Sequence, residues 1–73
     1  MYSADEQAVL DYLATSPDSF FSPREVCRRA RDKEAWEKNR RWAIPVLARL
    51  LARGLAETDP SGHYRIRRAW DRQ

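Results

Sequence analysis

A chain whose only cysteine is Cys27 has no internal disulfide and no multi-cysteine metal site to brace it. At 73 residues it must therefore fold on one small hydrophobic core. A chain of that length buries only about 60% of the surface that its unfolded form exposes. This excludes a multidomain enzyme and predicts a single domain over residues 1–73, with its core in 4–68 and a polar tail at 69–73 carrying Trp70. The longest apolar run, Ala43 to Leu55, contains Pro45 and is interrupted by Arg49 and Arg53, whereas a membrane span needs about 20 apolar residues. Met1 to Glu6 lacks the basic and apolar regions of a signal peptide. Together with the lone thiol, these features predict a soluble cytoplasmic chain.

The net charge of +3 conceals a division along the chain. Residues 1–23 hold four carboxylates (Asp5, Glu6, Asp11, Asp18) and no Lys or Arg; residues 24–73 hold all 14 basic residues, 12 of them arginine, against 7 acids. The two parts carry −4 and +7 (14 − 7). Segregation of this kind implies either a positive face, whose arginine forks suit phosphate oxygens, or a solvated surface of ion pairs.

Start and stop signals divide the chain. Ser3-Ala4-Asp5-Glu6 is a capping box, and it opens a helix that ends near Ala14 or Thr15, before Ser16-Pro17-Asp18. Val9, Leu10 and Leu13 form its packing stripe, with Glu6 and Asp11 expected off it. Ser19-Phe20-Phe21 has room for a very short strand. Ser22-Pro23-Arg24-Glu25 starts a second helix with serine at the cap, proline at the first helical position and glutamate closing a second capping box. Val26, Cys27 and Ala30 form its inner side, with Arg24, Arg28, Arg29 and Arg31 largely outside.

Asp32 to Trp42 favours helix, with Asp32 as a cap and Glu34 and Lys38 paired at i, i+4; Trp36 and Trp42 read as core or inter-helix packing. Val46, Leu47, Leu50 and Leu51 mark the third major helix, closed by Gly54 at the left-handed C′ position. Pro45 means that this helix begins near residues 43–45 or is kinked there. Leu55 to Thr58 and His63 to Arg67 flank Asp59-Pro60-Ser61-Gly62, a type I turn pattern, which predicts a hairpin with Tyr64 and Ile66 on its packed side.

The expected class is therefore α+β, mainly α: a three-helix bundle with a C-terminal β-hairpin. Over about residues 4–68 this order resembles the winged helix-turn-helix family of DNA-binding domains. The resemblance rests on Ser22-Pro23-Arg24-Glu25-Val26, on the run from Leu47 to Leu55, and on Gly62-His63-Tyr64-Arg65-Ile66 returning from the turn. It implies a third helix in the major groove of double-stranded DNA and a hairpin wing beside it, in a small transcriptional regulator or stand-alone DNA-binding module. Carried onto this sequence, the helix presents Arg40, Arg41, Pro45, Ala48, Arg49 and Ala52. The wing presents Ser61, His63, Arg65 and Arg67, while Arg24, Arg28 and Arg29 hold phosphates.

The chain departs from the family pattern in two places. About ten residues, Asp32 to Arg41, separate helices that a turn of roughly 3–4 residues usually joins. The face made by Pro45, Ala48 and Ala52 is small and apolar, suited to thymine methyls or equally to a protein partner. A winged-helix protein-interaction module is accordingly the alternative reading. Reading two half-sites would call for a homodimer, with the acidic first helix, Trp70 and the basic tail as candidate contacts.

No catalytic constellation is expected. His63 is the only histidine, Cys27 lies on an apolar helix side, and the two together cannot furnish a metal-ligand set. Gly54 and Gly62 are accounted for by cap and turn geometry, which leaves no glycine-rich phosphate loop. Neither a cofactor nor a small-molecule substrate is anticipated.

Overall fold

The computed structural model describes residues 2–67. Four helices, α1 (Ala4–Ala14), α2 (Pro23–Arg29), α3 (Lys33–Lys38) and α4 (Ala43–Ala52), precede an antiparallel hairpin of β1 (Ala56–Thr58) and β2 (Tyr64–Ile66). The fold is α+β and mainly helical. The tail 69–73 with Trp70, named above as a dimer contact, lies outside the described residues.

Local signals account for the element boundaries. The Ser3 hydroxyl accepts from the Glu6 amide at 3.1 Å and the Glu6 carboxylate accepts from the Ser3 amide at 2.9 Å, completing the capping box of α1. At α2 only the serine half forms: Ser22 Oγ accepts from the Glu25 amide at 3.1 Å, with Pro23 in the first turn. Asp32 caps α3 by accepting from the Ala35 amide at 2.9 Å. At the end of α4 the Leu55 amide donates to the Leu50 carbonyl at 2.9 Å and the Gly54 amide to Leu51 at 3.1 Å, with Gly54 at φ 76°. This is the Schellman closure that the position of Gly54 anticipates.

The segment Asp32 to Trp42 differs from the expectation of one helix-favouring stretch within a three-helix bundle. Helix stops at Lys38, so a separate short α3 stands between α2 and α4. Asn39 is extended (φ −152°, ψ 100°), and its side-chain oxygen accepts from the Arg41 amide at 3.1 Å while its carbonyl accepts from Trp42 at 3.1 Å. This local turn competes with helical hydrogen bonding and ends α3. Pro45 then falls in the first turn of α4, where the amide it lacks has no intrahelical partner, so the helix starts at Ala43.

The core joins Val9, Leu10 and Leu13 of α1, Val26 of α2, Val46, Leu47 and Leu50 of α4, and Ala56 and Ile66 of the hairpin. Each buried leucine contributes about 1.5–3 kcal/mol relative to exposure. Trp42 is buried, and its indole N–H donates to the Cys27 carbonyl at 2.7 Å, fastening α2 to the start of α4. The strands pair Ala56 with Ile66, Glu57 with Arg65 and Thr58 with Tyr64. Phe21 bridges Tyr64 through two 2.7 Å backbone hydrogen bonds, so the short strand expected at 19–21 survives as a single bridge. In the turn, Asp59 Oδ1 accepts from the amides of Ser61 at 3.0 Å and His63 at 2.8 Å.

Glu6 corrects the expected α1 pattern. It stands at i, i+3, i+4, i+7 with Val9, Leu10 and Leu13, and is buried at 7% exposure instead of lying on the wetted face. A carboxylate there requires partners, and α1 faces α4, which supplies them.

Candidate functional site

Eight of the ten arginines among the described residues fall into two groups. In the first, each guanidinium meets a carboxylate. Arg49 Nε lies 3.3 Å and Arg53 Nη1 3.5 Å from the same Glu6 oxygen, joining α4 to α1. Arg31 reaches Asp5 at 2.8 Å, tying the chain after α2 to the first turn of α1. Arg65 of β2 pairs with Glu57 of β1 and lies over the Phe20 ring at 4.4 Å.

Glu6 is the centre of this group. Hydrogen-bond donation from the Ser3 amide is the main influence holding its carboxyl below the ordinary value of 4.5, burial opposes that shift, and Arg49 and Arg53 add to it. The charged form is therefore favoured in the folded chain.

The second group surrounds a groove of about 680 Å³ between α2 and the start of α4, lined by Arg24, Cys27, Arg28, Trp36, Arg40, Arg41 and Ile44. No carboxylate lines it. Among the described residues, none of these four arginines forms an ion pair. Trp36 organises two of them, with the Arg40 guanidinium 4.7 Å and the Arg28 guanidinium 5.5 Å from its ring. Each such cation–π contact is worth about 0.5–1 kcal/mol at an exposed site. Trp42, through Cys27, holds the α2 wall against the α4 wall. A smaller hollow of about 390 Å³ beside α3 includes Asp32 and Glu34 with Arg31 and Lys38, so its charges are mixed.

Of the eight arginines and one histidine expected from sequence to contact DNA, Arg24, Arg28, Arg40 and Arg41 come together in the groove. Arg29 is exposed on the last turn of α2 and does not line it. Arg49 and Arg65 are engaged by Glu6 and Glu57. His63 donates its amide to Asp59, and its ring Nδ1 lies 3.7 Å from that carboxylate. Arg67 lies against Gly54, where a Cβ would come within 3.2 Å of its Nη1.

Sequence reasoning assigned Trp36 to packing, which its half-buried position against the core bears out, but missed its place beneath two guanidinium groups. Neither contact has a usable sequence signal, since Arg40 lies beyond the end of α3 and Arg28 belongs to α2.

The outward surface of α4 adjoins this groove at Ile44. Pro45, Ala48 and Ala52 are exposed along it, with Ile44 at 39% and Leu51 at 40% exposure on its flank. Among the described residues, no helix is long and apolar enough to cross a membrane, and no cluster of three His, Cys, Asp or Glu side chains is placed to hold a metal ion. Comparison of the chain with models of protein families, with curated proteins and with solved structures finds no match in any of the three.

Proposed function

We propose that the protein binds double-stranded DNA as a small winged helix-turn-helix domain of the kind used in transcriptional regulation. The observation that carries the reading is the groove in which Arg24, Arg28, Arg40 and Arg41 gather without a carboxylate. Unpaired guanidinium groups held close together repel one another, and a phosphate backbone relieves that repulsion while releasing its condensed counterions. The order of helices followed by a hairpin, and a solvent-facing α4 beside the groove, support the same reading.

A fluorescence-anisotropy titration with duplex DNA tests it. Binding near about 50 mM salt that weakens steeply as salt rises is the expected result, since each neutralised phosphate adds about 0.9 to the salt slope. Absence of binding at that salt contradicts the reading.

A second reading, a protein-interaction module of the same fold, is favoured by the apolar strip Ile44, Pro45, Ala48, Leu51 and Ala52. A partner docked on that strip would survive Arg40→Glu with Arg41→Glu, whereas duplex binding would not.

A further inference from the structure

The outward face of α4 is almost wholly apolar. Between Ala43 and Ala52 the only polar side chain is Arg49, and Glu6 engages it at 3.3 Å. Arg53, one residue beyond the helix, is drawn to the same carboxylate. Apart from Arg49 on its edge, what faces solvent is Ile44, Pro45, Ala48, Leu51 and Ala52.

Resting on the duplex reading, we propose that this face discriminates sequence through the C5 methyl groups of the major groove, and that affinity comes from the arginine groove. Ile44 belongs to both surfaces, so phosphates seated among Arg24, Arg28, Arg40 and Arg41 bring the adjoining helix face against the same duplex. Charge complementarity therefore selects nucleic acid as the occupant of the apolar strip. A 10-residue helix is about 15 Å long and about 10–12 Å across with its side chains, which fits the roughly 12 Å width of the major groove. Small side chains let its backbone approach the base edges closely. Apolar groups there contact the thymine methyl, and with no Asn or Gln on α4 and its one arginine drawn toward Glu6 at the edge of the strip, methyl contacts dominate the readout.

The test leaves the protein unchanged and alters the DNA. Three sets of duplexes are titrated at one low salt concentration: thymine-containing, the same sequence with uracil for thymine, and G·C-rich duplexes with and without 5-methylcytosine. Burying one methyl corresponds to about fourfold in affinity, so uracil substitution across a site of two or three contacts lowers affinity by about tenfold or more. Methylating cytosine, which places a methyl at the equivalent groove position, raises it by a similar factor. Equal affinity for thymine and uracil duplexes, or indifference to cytosine methylation, overturns this inference while leaving duplex binding intact. No binding to any duplex overturns the duplex reading and this inference together.

Discussion

Arg49 and Arg40 lie on either side of the start of α4, yet one is held by a buried carboxylate and the other meets only an aromatic ring among the described residues. The contrast extends to the two groups they represent. Arg31, Arg49, Arg53 and Arg65 each join two parts of the fold through Asp5, Glu6 or Glu57. Arg24, Arg28, Arg40 and Arg41 share a groove without acids. The division of charge along the chain thus becomes a division of labour. The acidic first helix engages Arg31, Arg49 and Arg53, Glu57 engages Arg65, and Arg24, Arg28, Arg40 and Arg41 are left to form the positive groove.

The largest expected effect breaks the groove group alone. Changing Arg24, Arg28, Arg40 and Arg41 together to Gln lowers duplex affinity at low salt by at least about a hundredfold, because four phosphate contacts are lost. These side chains are exposed and make no ion pair among the described residues, so the cost in stability is confined to the two lost Trp36 contacts, about 1–2 kcal/mol in all. Anisotropy and calorimetry on one sample separate the two effects. Next in size is Trp42→Phe, which leaves the buried Cys27 carbonyl without its 2.7 Å donor and costs about 1–3 kcal/mol in denaturant unfolding. It also loosens the groove, since this bond fastens α2 to α4.

Smaller effects sharpen the boundary between the groups. Trp36→Leu removes the ring beside Arg28 and Arg40 and weakens duplex binding severalfold, at about 0.5–1 kcal/mol per contact, with their charges intact. Arg65→Gln lies in the paired group and lowers stability by about 0.7–2 kcal/mol, from its half-buried ion pair with Glu57 and its contact with the Phe20 ring, and leaves duplex affinity unchanged.

Glu6 supplies a pH signature. Its folded pKa lies below the unfolded value, so the unfolded chain binds more protons in acid. The stabilisation from Glu6 is therefore complete above the ordinary value of 4.5 and is lost as pH falls through the lowered folded value. Unfolding midpoints measured across that range decline in the wild type, and in Glu6→Gln this component of the decline is absent.

Much of the fold is legible in the sequence because its signals are local. Ser3, Ser22, Asp32, Gly54 and Asp59 each act within five residues of their own position, and each does what its type and spacing predict. The break at Asn39 is also local but depends on one side chain favouring a turn within a helix-favouring stretch, a weaker signal than a proline or a glycine. The division of the arginines is not legible at all. Arg31 and Asp5 are 26 residues apart, Glu6 and Arg49 43, and Glu6 and Arg53 47, so the packing of α1 against α4 and against the chain after α2 decides which of these charges are neutralised. The same packing turned Glu6 from an expected surface acid into the buried partner of two arginines.

The most direct test is the salt dependence of duplex binding in two variants. One carries Arg24→Gln, Arg28→Gln, Arg40→Gln and Arg41→Gln; the other carries Arg49→Gln and Arg65→Gln from the paired group. The predicted result is a slope of log affinity against log salt that is shallower by about 3–4 in the groove variant and unchanged within error in the paired variant. A slope lost equally in both, or lost in the paired variant alone, would contradict the claim that the unpaired arginines form the binding surface.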